Sequence, residues 1–228
     1  MRLESDPEIV QGNHKRATFL LCIPTFGLVP IEFVVGFSRM QVPMNCRCES
    51  FIIKGMEVGV ARNFAVEKLL KMNPMPEYLF FVGDDSLISW NSFLLLHEVM
   101  RKDEYDIMAG LYYMKADPFT PPVPVMNRKG VEGGMIPHVH FNPGEVVLVD
   151  LCGMDFTIMK SEVFRKMGDP PWFKTADSSD IYDPETGAIG IFTEDVYFCD
   201  KALEAGLKIA VHTGCRIGHI QIETGEIY

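Results

Sequence analysis

The chain has 228 residues, 47% hydrophobic and 23% charged, a balance that excludes a disordered, collagen-like or disulfide-stapled protein. Twenty-one basic against 31 acidic residues give a net charge of −10, which argues against a broad nucleic-acid or anionic-lipid surface. Six scattered cysteines, three of them inside apolar runs, read as reduced and mostly buried thiols of a cytoplasmic protein. Cys46-Arg47-Cys48 lacks the further ligands that a zinc site needs.

Residues 1–17 are polar and aperiodic and read as a flexible tail, followed by a single domain over 18–228. Lys15-Arg16 ahead of the apolar run 17–37 imitates a signal peptide or a membrane span. Pro24, Gly27, Pro30 and Glu32 interrupt it, and a span needs about 20 nearly unbroken apolar residues. The run therefore predicts a buried strand at 19–23 and then a helix opened by Pro30, with Val34, Phe37 and Met40 on one side. A strand is expected within 42–53, and a helix over 57–72 with Ala61, Phe64, Ala65, Leu69 and Met72 on its apolar face. Residues 78–82 form the clearest buried strand, followed by a helix at 90–101 and a strand at 106–113. This alternation predicts an α/β fold whose central sheet is mostly parallel and flanked by helices.

The second half is less regular. Residues 114–144 read as an ordered excursion over the active face, and strands are expected at 145–151 and 156–160. Ser161 is expected to cap a short helix. Residues 169–192 have the length of a lid, with Trp172 either presenting a flat face to a sugar or plugging the core. Thr193 caps a helix through 204 that Gly206 closes, and a last strand at 207–211 leads to Gly218-His219.

In open α/β sheets, ligands bind beyond the carboxyl ends of the strands. Asp84 and Asp85 stand there after the strongest strand, where they suit a divalent cation that takes its remaining ligands from phosphate and water. Gly83-Asp84-Asp85-Ser86 is also good turn chemistry. His219 would complete the cation's shell, and an imidazole ligand favours Mn2+ over Mg2+. Glu194-Asp195 either complements the dipole of its helix or points one acid into the cleft as a general base.

Ile23-Pro24-Thr25-Phe26-Gly27, Ala61-Arg62-Asn63, Phe80-Phe81-Val82-Gly83-Asp84-Asp85-Ser86 and Ala109-Gly110-Leu111-Tyr112-Tyr113 occur in this order. They are followed by residues 153–160, Thr193-Glu194-Asp195-Val196-Tyr197-Phe198 and Gly218-His219. Over residues 18–220 the chain thus resembles the family-2-like glycosyltransferases of the GT-A fold. The resemblance implies a nucleotide-diphosphate sugar donor (UDP or GDP sugar) and a divalent cation, Mn2+ with Mg2+ as the alternative. It implies a nucleotide pocket at Pro24, Thr25, Arg62 and Asp84, metal ligands Asp85 and His219, and Asp195 as the base beside Glu194. The family's first D-x-D acid is Gly83 here, and Asp155 stands where the family more often has a small residue, which implies contact with a donor or acceptor hydroxyl. The implied reaction is transfer of one sugar, with inversion, to a glycan, small-molecule or modified-base acceptor by a protein without a membrane span. The rival readings are a non-catalytic nucleotide-sugar scaffold and a sugar-1-phosphate nucleotidyltransferase, whose Gly-rich loop is absent after strand one.

Overall fold

A computed structural model describes residues 17–115, 121–130, 134–175 and 193–228. The apolar run at 17–37 becomes β1 (Ala17–Thr25) and α1 (Ile31–Arg39), because Pro30 is extended and starts the helix. Next come β2 (Cys46–Lys54) and α2 (Val58–Lys71), which Glu57 caps by accepting the Val60 N–H at 2.9 Å. The first half continues with β3 (Tyr78–Val82), β4 (Ser86–Leu87), α3 (Ser92–Met100) and β5 (Ile107–Leu111). The excursion folds into β6 (Met126–Lys129) and β7 (Met135–Pro137), ahead of β8 (Val146–Val149) and β9 (Leu151–Cys152). The chain closes with β10 (Phe156–Lys160), α4 (Val163–Lys166), α5 (Glu194–Glu204), β11 (Ile209–Arg216) and β12 (Gly218–His219).

The main sheet has the order β2-β1-β3-β10-β5-β11-β8. Strands β2, β1, β3, β5 and β11 run one way, while β10 and β8 run against them. The expected mostly parallel sheet is therefore present, with β10 inserted between β3 and β5. All five residues of β3 are buried, and alternate side chains feed two cores. Leu79 and Phe81 pack with Ala61, Ala65 and Leu69 of α2 and with Phe198 of α5. Tyr78, Phe80 and Val82 pack with Phe33 of α1 and with Phe93 and Leu96 of α3. Burying each phenylalanine contributes about 1.5–3 kcal/mol.

Three local expectations need correction. Val34 is exposed, and the inner face of α1 carries Phe33, Gly36 and Phe37 instead. Phe64 also faces solvent, because α2 needs only its small and aliphatic residues against the sheet. Ser161 is buried with its hydroxyl unpartnered, and Glu162 takes the N-cap position of α4. All six cysteines are free, and burial pushes the Cys22 and Cys215 thiols up to about 12, which keeps them inert. Among the described residues, no helix is long and apolar enough to cross a membrane.

Candidate functional site

Parallel pairing of β1 with β3, register Cys22 to Phe81, brings Pro24-Thr25 and Gly83-Asp84-Asp85 to the same sheet edge. A cavity of about 140 Å3 opens there, and its walls include Pro24, Thr25, Arg62, Asp84, Asp85 and Asp155. The Thr25 hydroxyl oxygen accepts the Gly27 N–H at 2.8 Å, which fixes the turn, and also bonds the Asp84 carboxyl. Burial raises the Asp84 pKa above the ordinary carboxylate range, and the bond to Thr25 only partly offsets this.

Strand β12 delivers His219 to the same edge by pairing it with Ser86 on β4. The Ile220 N–H donates to the Asp85 carbonyl at 2.8 Å and locks that register. His219 Nε2 lies 3.3 Å from Asp85 Oδ2 and 3.8 Å from Asp155 Oδ2. Its Nδ1 is 3.1 Å from the Tyr113 carbonyl, which can only accept, so Nδ1 carries a proton. In the neutral ring the Nε2 lone pair then faces the two carboxylates. Burial alone would lower the His219 pKa, but the bond to Asp85 and the charges of Asp155 and Asp85 more than offset it and raise it. Asp85 is lowered: burial pushes its carboxyl up, and bonds from His219 and Lys115 outweigh that push. Asp155 is raised, first by burial and then by the Asp85 charge, with Arg62 opposing.

Strand β10 starts antiparallel to the end of β3, so Asp155 lies beside Gly83, whose N–H donates to the Asp155 carbonyl at 2.6 Å. A Cβ on residue 83 would lie 3.0–3.1 Å from the Asp155 side chain. The space that a side chain at 83 would fill is thus held by a carboxylate arriving from the neighbouring strand. Asp85, Asp155 and His219 each offer a ligand atom, all within 4.8 Å of one another. Two carboxylates that repel across a half-buried corner, with an imidazole lone pair beside them, fit a divalent cation. Asp85 and His219 are the metal ligands expected from the sequence, and Asp155 the expected substrate contact; the Asp155 carboxylate also stands within 4.8 Å of the ligand atoms of the other two.

Behind this cluster, Arg62 is buried on α2, and its guanidinium donates to Glu194 and approaches Asp155 at 3.4 Å. The same guanidinium lies 5.7 Å from the Phe81 ring centre and 6.0 Å from that of Phe173. Arg62 touches the cavity wall, yet its ion pairs make it the post that ties β10 to the start of α5. Glu194 is correspondingly a buried partner of Arg62, with its carboxyl raised by burial against the Arg62 charge. Asp195, one residue on, is partly exposed and accepts the Thr193 hydroxyl and the Val196 N–H through Oδ1. Its charge reaches Asp155 and Tyr112.

Asn63 explains its place after Arg62: its amide accepts the Trp172 and Phe173 N–H groups and donates to the Phe173 carbonyl. Trp172 is buried, and its indole N–H is shared between the Phe164 and Gly168 carbonyls. Of the two expectations for it, the core plug matches this placement, and the sugar-facing one does not. Residues 176–192, most of the expected lid, lie outside the described residues. Lys115 carried no signal in the sequence, and Gly153 entered only as the first residue of the matching segment 153–160. Lys115 contacts Asp85 from an aperiodic stretch. Gly153 is required because a Cβ there would come within 1.4 Å of the Tyr112 hydroxyl.

No protein-family model and no curated protein matches the chain in sequence. In three dimensions it is similar to A197 from STIV, with a TM-score of 0.54 and 20% identity over 89% of this chain and 85% of A197. It is also similar to GalNAc-T7, solved with UDP, GalNAc and Mn2+, with a TM-score of 0.56 and 13% identity. That match takes in 90% of this chain and 43% of the GalNAc-T7 chain, so this chain spans under half the length of that relative. These likenesses show the fold, a GT-A-like α/β architecture with a mostly parallel sheet.

Proposed function

We propose that this protein is a metal-dependent glycosyltransferase that moves one sugar from a UDP or GDP sugar to an acceptor hydroxyl, with inversion. The observation that carries the reading is the convergence of Asp85, Asp155 and His219 at the mouth of the cavity formed by Pro24, Thr25 and Asp84. The UDP, GalNAc and Mn2+ named with GalNAc-T7 support the same donor class. The nucleoside enters beside Pro24 and Thr25, and Asp84 faces the ribose. Asp85, Asp155 and His219 would hold the cation, Mn2+ or Mg2+, which when bound would supply positive charge to stabilise a nucleoside diphosphate leaving group. Asp195 takes the proton of the acceptor hydroxyl as its oxygen attacks the sugar from the face opposite the leaving group. Glu194 and Arg62 position that carboxylate by fixing the first turn of α5. The acceptor is a glycan, a small molecule or a modified nucleobase, and the cytoplasm suits free thiols and soluble donors.

Calorimetric titration of a nucleotide-sugar panel, with Mn2+ and then with chelator, tests this directly. One donor should bind, and its binding should vanish with chelator. Failure of every donor to bind would reject the reading and leave the fold as an inherited scaffold.

A further inference from the structure

Lys115 has no part in the reaction described so far. Its Nζ lies 2.5 Å from Asp85 Oδ2, the same oxygen that His219 Nε2 approaches at 3.3 Å. The backbone holding it is fixed at the sheet edge: the Met114 N–H donates to the Val123 carbonyl at 2.8 Å, and Tyr113 bridges Pro124. Tyr113, two residues before Lys115, also anchors the His219 ring. The Lys115 side chain is 27% exposed, so its ammonium is drawn out of full hydration onto this one carboxylate.

We propose that Lys115 is a built-in counter-cation of the metal site, displaced from Asp85 by the divalent cation and handed to the diphosphate of the bound donor. The inference rests on the metal-dependent reading above. Asp84, Asp85 and Asp155 crowd one corner, and Arg62 is engaged with Glu194 and Asp155, so the surplus negative charge falls on the cavity mouth. Lys115 neutralises part of it in the empty cleft, which would otherwise repel a diphosphate. An ammonium and a divalent cation cannot share one carboxylate oxygen at contact distance without strong repulsion. The group that yields is the lysine, a point charge on a flexible four-carbon stem, whereas Asp85 is pinned through its backbone to Ile220. A displaced ammonium remains within one side-chain length of the Asp85 carboxylate, within reach of a diphosphate that would be held by a cation there.

The test uses the whole chain and its Lys115→Met and Lys115→Gln variants, with Mn2+ followed by electron paramagnetic resonance. Without nucleotide, both variants should bind Mn2+ at least tenfold more tightly than the parent. At saturating Mn2+, both should bind UDP or GDP at least fivefold more weakly. Mn2+ affinity that is unchanged or weaker would overturn the displacement while leaving the metal-dependent reading intact. Tighter Mn2+ with unchanged diphosphate affinity would overturn the hand-over. No Mn2+ binding by parent or variants, with or without the diphosphates, would overturn both this inference and the reading beneath it.

Discussion

Arg62→Met removes the buried cation that joins α5 to β10 and leaves two carboxylates behind. The Arg62 side chain is 5% exposed, and those of Glu194 and Asp155 are 11% and 24% exposed, so water cannot fully replace the guanidinium. Breaking such a pair from one side costs about 3–5 kcal/mol, because the charges left behind have lost their partner. That is a large share of the roughly 5–15 kcal/mol that stabilises a folded domain. For a chain of this size, each kcal/mol moves the melting temperature by about 2–4 °C, so the variant should melt roughly 6–20 °C lower near neutral pH. The pH dependence identifies the cause. Burial already raises the Glu194 and Asp155 pKa values in the parent, and loss of Arg62, which opposes that rise in both, raises them further. A carboxyl whose folded pKa is raised binds protons more readily in the folded state, so stability falls as pH climbs from the ordinary carboxylate range through the raised folded values. The deficit of Arg62→Met should therefore shrink on going from pH 7.5 to pH 5, as the abandoned carboxylates take up protons. Differential scanning calorimetry across that range measures both effects. A loss below about 3 °C, or one that does not shrink at pH 5, would refute the buried-post account of Arg62.

Asp195→Asn should keep donor binding but lower sugar transfer by roughly two to four decades, the usual range for a lost general base. Unchanged turnover would remove Asp195 from that role. Mn2+ affinity should weaken as pH falls from 8 to 6, by up to about tenfold per unit below the raised His219 pKa, because the ligating ring must be neutral. An affinity that stays flat over that range would exclude His219 as a ligand. Gly153→Ala should destabilise the protein by about 1–3 kcal/mol in a thermal melt, since its Cβ would meet the Tyr112 hydroxyl, and an unaltered melt would show that Tyr112 moves freely.

What could be read from the sequence divides along physical lines. β3 was legible because five apolar residues bounded by a polar turn have few other ways to be buried, and Asp84-Asp85 were placed by simple adjacency to it. His219 and Asp195 stood out through the family resemblance; His219 Nε2 lies 3.3 Å from Asp85 Oδ2, and the Asp195 charge acts on Asp155. The cation cluster was only partly legible. Asp155 reaches it because β10 runs antiparallel beside β3, a pairing that joins residues more than 70 positions apart and leaves no periodic trace. Gly83 looked like a loss from the motif until the same pairing put the Asp155 side chain in its space. Glu194 and Arg62 were both read as functional at first, yet their burial together depends on a contact across 132 positions. Val34 and Phe64 failed for a different reason: apolar residues are tolerated in water, and helical spacing alone does not say which side of an apolar helix faces the sheet.

The central claim is that a divalent cation sits between Asp85, Asp155 and His219 at the nucleotide cleft. Paramagnetic broadening of the histidine ring signals by Mn2+ in the presence of nucleoside diphosphate tests it most directly. His97 provides the internal reference, because it lies 3.6 Å from Cys46 Sγ at the opposite end of the sheet. Cys46 pairs with Ala17, eight strand steps or roughly 26 Å before Thr25 at the cleft. Substoichiometric Mn2+ should erase the His219 signals first and spare those of His97, and Asp85→Asn should abolish the effect. Equal broadening of both rings, or His219 signals that persist at saturating Mn2+, would contradict the metal site and the function built on it.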